Sequence, residues 1–181
     1  EGVTPLLYPI RYAEGWFIDF DALLETLTPR TKAVVLVNPN NPTGHFVRPE
    51  EMEKLLSICE TRNLTLIVDE VFFEFPLEKS CVRTSLARKE LPVLTFVLDG
   101  LSKLFGLPQL KLSWISLHGP DKMTREASER LDWISDLYLS VGTSVQKALP
   151  DLFSALYGQT SAILDRVREN YAVVTKRVKT N

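Results

Sequence analysis

Three short stretches carry the side chains that could do chemistry, and each follows an apolar run. Lys103 lies in Gly100-Leu101-Ser102-Lys103, just beyond the apolar residues 93–98. Lysine usually sits in water. A lysine at the end of a buried strand is expected to be partly shielded, where the neutral, nucleophilic amine is favoured. Asp69 closes the apolar run 64–68. A dense cluster of turn residues, 38–44, closes the run 33–37 and contains Asn41. An amine can condense with a carbonyl, a carboxylate can keep a ring nitrogen protonated, and a carboxamide can donate to an oxygen. Together they suit a bound electrophilic cofactor.

The elements that must position these residues alternate. Residues 6–8 are expected to form a short strand before Pro9. Residues 19–27 read as a helix, with Asp19 as N-cap and Phe20, Leu23, Leu24 and Leu27 on one face. The β-branched run 33–37 reads as a strand covered on both faces. Next comes a helix with Pro49 at its first position, Glu50 and Glu51 in its first turn, and a stripe of Met52, Leu55, Leu56 and Cys59. Strands are expected over 64–68, 93–98 and 112–117. Helices are expected over 122–139, 144–149, 151–157 and 161–179. This order predicts an α/β fold with a mostly parallel sheet flanked by helices. In such sheets ligands bind beyond the carboxyl ends of the strands, which is where Asn41, Asp69 and Lys103 fall.

Bulk properties narrow the function classes. The 181 residues are 45% hydrophobic with a net charge of -2, enough for a substantial core and without the basic surplus of a nucleic-acid binder. Two cysteines and two histidines, scattered, give no metal-ligand spacing. No metal, nucleic-acid or membrane partner is expected, and a reduced, cytoplasmic setting is the simplest expectation. Trp16, Trp114 and Trp133 are expected to pack, His45 to be a loop residue, and Tyr138 to line either the site or a dimer surface.

The ordered set Asn38-Pro39-Asn40-Asn41-Pro42-Thr43-Gly44, Val68-Asp69-Glu70-Val71 and Leu101-Ser102-Lys103 with Gly106-Leu107-Pro108 resembles the class I/II aminotransferases of the aspartate aminotransferase fold type. The resemblance implies transfer of an amino group from an amino acid to a 2-oxo acid, with pyridoxal 5'-phosphate as cofactor. It implies a Schiff base from Lys103, which also shuttles a proton. Asp69 would pair with the pyridine nitrogen, and Asn41 with the phenolic oxygen across a cis Asn41-Pro42 bond. A homodimeric parent is implied too.

The sequence departs from the family pattern at three cofactor positions. Phe72 stands where a tyrosine is usual, Gly100 where a phosphate-binding hydroxyl is frequent, and Lys111 where an arginine is usual. Ser102 offers a hydroxyl either to the phosphate or to its neighbouring backbone. The resemblance places residues 1–160 in the central part of the large, cofactor-binding domain, and 161–181 at the start of the helix leading to a small domain outside this chain. A lyase of the same fold, or the ligand-sensing aminotransferase-like domain of a transcription regulator, would share these residues.

Overall fold

The computed structural model describes residues 2–88, 90–138 and 140–179. The first strands are β1 (Ile10–Tyr12) and β2 (Trp16–Ile18), an antiparallel hairpin. The strand expected over 6–8 is not formed. Pro9 has no N–H for a ladder, and pairing begins just after it. Helix α1 (Phe20–Thr26) follows, and Asp19 caps it by accepting the Ala22 N–H at 3.1 Å.

A four-stranded sheet forms the centre: β3 (Ala33–Val37), β4 (Thr65–Asp69), β5 (Thr95–Gly100) and β6 (Ser113–His118), in that spatial order. β3, β4 and β5 are parallel, and β6 runs antiparallel to β5. Helix α2 (Pro49–Thr61) makes the crossover from β3 to β4. All of its expected stripe, Met52, Leu55, Leu56 and Cys59, is buried. Glu51 is also buried, and accepts the N–H groups of Ile18 (2.8 Å) and Arg48 (3.3 Å). Burial alone would raise its pKa. The Arg48 guanidinium at 2.8 Å and the two N–H donors outweigh this and hold it below the ordinary value.

The sheet is covered on one face. Val34, Leu36, Leu66, Val68 and Val97 join α2 in the main core. The alternate residues Val35, Ile67 and Phe96 share a register row on the other face. There Val35 is 56% exposed and Ile115 46% exposed. The two-sided burial expected of β3 is therefore not met within this chain.

Past β5 comes a four-residue helix, α3 (Leu101–Leu104), then a 3₁₀ turn at Pro108–Leu110 that leads into β6. The remaining helices are α4 (Asp121–Asp136), α5 (Thr143–Ala155) and α6 (Gln159–Lys179). The two short helices expected over 144–149 and 151–157 are one element, running through Pro150. Val145, Leu149 and Leu152 keep one face on a second apolar cluster across the proline. This packing outweighs the local break. Leu139, the expected end of α4, lies outside the described residues, as do positions 1, 89, 180 and 181. Trp133, expected to pack, is 76% exposed, whereas Trp114 joins the second cluster.

Candidate cofactor site

The three chemistry-bearing stretches meet at one edge because their strands are parallel neighbours. Val37 is in register with Asp69, and Asp69 with Leu98. The turn holding Asn41 leaves β3, Asp69 closes β4, and α3 carries Lys103 immediately beyond β5. The backbone ties the edge together: Asn38 N–H donates to Asp69 O at 2.9 Å, and Glu70 N–H to Leu98 O at 3.0 Å.

Lys103 Nζ stands 5.4 Å from the centre of the Phe72 ring, a cation–π distance. Its side chain is exposed, so the shielding expected from its place after a buried strand is not provided here. Phe72 is half-buried, in the turn closed by Phe73 N–H donating to Glu70 O. The edge-on pair of Phe46 and Phe73, 5.7 Å between centres, joins that turn to the loop after β3.

Asp69 is half-buried. Its Oδ1 accepts the Val71 N–H at 3.1 Å. Asn41 is exposed at the tip of its turn, and the Asn41-Pro42 bond is cis, as is Asn38-Pro39. Among the described residues no hydrogen bond or ion pair joins Lys103, Asp69 and Asn41 to one another. Ser102 is half-buried on α3. Lys111 is exposed at the end of the 3₁₀ turn, in the left-handed region at φ 52°.

Gly100 has a structural reason. A Cβ there would lie 2.9 Å from Ser113 Cβ and 3.0 Å from Leu112 O. Any side chain at this position would push β6 away from β5, so the missing hydroxyl follows from the close approach of these strands.

Carboxylates that the sequence reading did not single out crowd the same edge. Glu70 is buried and accepts the Ser85 hydroxyl at 2.5 Å and the Leu86 N–H at 2.8 Å. Its pKa is raised, first by burial and then by the charges of Asp99 and Glu74, against those two hydrogen bonds. Asp99 is raised for the same leading reason, with Glu74 and Asp69 adding to it and the Gly100 N–H opposing. Each of these carboxylates thus disfavours the charge of its neighbours. A carboxylate directly after Asp69 and another directly before Gly100 were the available signals. Their burial depends on the loop around Ser85, whose course no periodicity shows.

Among the described residues no helix is long and apolar enough to cross a membrane, and no group of three or more candidate ligands could hold a metal ion. Cys59 and Cys81 are free thiols.

The profile of the family described as aminotransferase class I and II matches residues 1–180. Glutamate-pyruvate aminotransferase AlaA of Escherichia coli strain K12 is 31% identical over 137 residues, covering 76% of this chain and 34% of that protein. Alanine aminotransferase of Mycobacterium tuberculosis strain H37Rv is 28% identical over 148 residues, covering 82% of this chain and 34% of that protein. This chain thus spans about a third of the length of these relatives. The crystallised alanine aminotransferase from Pyrococcus furiosus superposes with a TM-score of 0.74 at 26% identity, over 98% of this chain and 44% of its own. With its sheet edge, its ordered motifs and a match over nearly its whole length, the chain belongs to the class I and II aminotransferase family.

Proposed function

We propose that the protein transfers an amino group from an amino acid to a 2-oxo acid, using pyridoxal 5'-phosphate held at the carboxyl edge of β3, β4 and β5. The observation that carries this reading is Lys103 Nζ poised 5.4 Å over Phe72, at the end of the strand that pairs with the one ending in Asp69. The donor set fits the cofactor: a solvent-reachable amine for its aldehyde, an aromatic ring for its flat face, and the Asp69 carboxylate for its ring nitrogen.

When bound, pyridoxal phosphate supplies an electron-accepting ring that stabilises negative charge at the substrate α-carbon. Lys103 would hold the cofactor through Nζ, and the same amine would move a proton to and from the substrate α-carbon. Asp69 would keep the ring nitrogen protonated, and the Asn41 amide would donate to the ring oxygen. Phe72 would pack on the ring without a hydroxyl to share. Ser102, the Gly100 backbone and Lys111 would hold the phosphate, Lys111 as a point charge rather than a bidentate fork. Residues 1–160 would belong to the central part of the cofactor domain, and 161–179, on α6, would begin the helix leading to a small domain. A homodimer in the cytoplasm completes the proposal; exposed Leu137 and Tyr138 suit burial against further protein surface.

The names of the related proteins favour transfer over elimination, since each is called an aminotransferase. The test is a single half-reaction. The cofactor-loaded protein is given L-alanine or L-glutamate, and 2-oxo acid and ammonia are measured. Stoichiometric 2-oxo acid without ammonia is expected. Ammonia and pyruvate from L-serine in a parallel incubation, where the β-hydroxyl can leave as water, would assign a lyase instead, and no oxo acid from L-alanine or L-glutamate would refute the transfer reading.

A further inference from the structure

The turn that carries Asn41 is braced by a chain of hydrogen bonds ending on a histidine. Asn40 Nδ2 donates to Thr43 Oγ1 at 2.8 Å, and Thr43 Oγ1 lies 2.8 Å from His45 Nδ1. The backbone closes the same ring: Asn40 N–H donates to His45 O at 2.9 Å, and Gly44 N–H to Asn40 O at 2.7 Å. Asn41 and Pro42 are the exposed tip of this closed loop.

The Asn40 amide nitrogen can only donate, so Thr43 Oγ1 accepts from it. The threonine hydroxyl keeps a second lone pair and its own hydrogen, so its contact with His45 Nδ1 runs in either direction with the ring tautomer. Nδ1 accepts only while unprotonated, in the tautomer with the ring hydrogen on Nε2. The charged groups facing the ring are Arg48, the residue before α2, and Glu51 in its first turn. They are paired with each other at 2.8 Å, and Glu51 is further occupied by the Ile18 N–H. The half-buried ring therefore has no carboxylate of its own. Burial lowers its pKa foremost, Glu51 opposes and Arg48 adds to the lowering, so the neutral ring prevails near neutral pH.

We propose that neutral His45, with its ring hydrogen on Nε2, accepts from Thr43 and is a positioning residue: through Thr43 and Asn40 it holds the Asn41 turn in the shape that meets the cofactor, and a proton on its Nδ1 releases that turn. A proton there turns Nδ1 into a donor, and the threonine hydroxyl loses its acceptor. The link to the cofactor rests on the proposed role of Asn41; the bracing itself does not.

Two conservative variants separate position from bulk. His45→Asn places an amide oxygen near Nδ1, accepts from Thr43 and cannot titrate. His45→Ala removes the acceptor. In the cofactor-free protein, nitrogen NMR of His45 is expected to show the hydrogen on Nε2 at pH 7.5. Gly44 amide exchange is expected to be about tenfold faster in His45→Ala than in the wild type, the size of one lost hydrogen bond, and close to wild type in His45→Asn. Pyridoxal phosphate affinity, measured from pH 5.5 to 8, should fall about tenfold in His45→Ala. In the wild type, relative to His45→Asn, it should fall as the pH drops through the His45 titration. A hydrogen on Nδ1 at pH 7.5, or equal Gly44 exchange in the Ala and Asn variants, would overturn the bracing. Failure of pyridoxal phosphate to bind the wild type would refute the cofactor reading instead, leaving the NMR and exchange results to decide on the brace alone.

Discussion

β3, β4 and β5 bury Val34, Leu36, Leu66, Val68 and Val97 against α2, whereas α5 and α6 bury no residue fully. The strands lie in an interior close-packed on one face. Tyr157, in the turn between α5 and α6, is 91% exposed, and Val178 on α6 is 71% exposed. Cooperative stability follows buried apolar contact. The sheet edge that presents Asn41 and Asp69 is thus held by the more stable region. Lys103 sits at the seam, since Leu101 and Phe105 flank it and belong to the second cluster with α5. Chemistry placed at such a seam draws its position from the sheet and its surroundings from the looser helices.

The sharpest break in this comparison is at the seam itself. Lys103→Ala is expected to abolish the covalent cofactor adduct completely while leaving thermal unfolding nearly unchanged, because the side chain is exposed; mass spectrometry and calorimetry check the two halves. Next in size is a cavity in the sheet. Leu66→Ala, at a fully buried position, should cost about 2–5 kcal/mol in chemical denaturation. Gly100→Ser restores a hydroxyl but drives its Cβ into Ser113, and should lower stability by about 1–3 kcal/mol rather than improve cofactor binding.

A pH series probes the buried carboxylates at the same edge. Burial raises Glu70 above its ordinary value of 4.5, so between 4.5 and the raised value the folded state holds more proton than the unfolded one. Stability is fully present below that window and falls as pH rises through it. Glu70→Gln, which can keep partners at Ser85 and Leu86, should flatten the fall in urea denaturation measured from pH 4 to 8. The smallest effect belongs to the helical side. Trp133→Ala, 76% exposed on α4, should change stability by less than about 0.5 kcal/mol. A loss as large as that of Leu66→Ala would show that the two regions form one cooperative unit.

The sheet was legible because β3 is an uninterrupted apolar run and β4 and β5 are mostly apolar, each ending in polar residues, and their order implies parallel crossovers. The stripe of α2 was legible from its spacing and from Pro49. The β1–β2 hairpin was not, since Ile10–Tyr12 and Trp16–Ile18 are three residues each and show no usable period. Nor was α3, where four residues cannot display helical periodicity. The open face around Val35 and Ile115 was hidden because an apolar run looks the same whether or not its cover belongs to the chain. At the site, residue types and their order gave Asn41, Asp69 and Lys103. The contacts of Glu70 with Ser85 and of His45 with Thr43 depend on loop paths that no local pattern encodes.

The central claim is that three parallel strand ends build one cofactor site around Lys103. The most direct test is to incubate the protein with pyridoxal phosphate, reduce with borohydride, digest, and locate the modified peptide by mass spectrometry. A single adduct on Lys103 is the predicted result. Label scattered over exposed lysines such as Lys79 and Lys122, or none on Lys103, would contradict it.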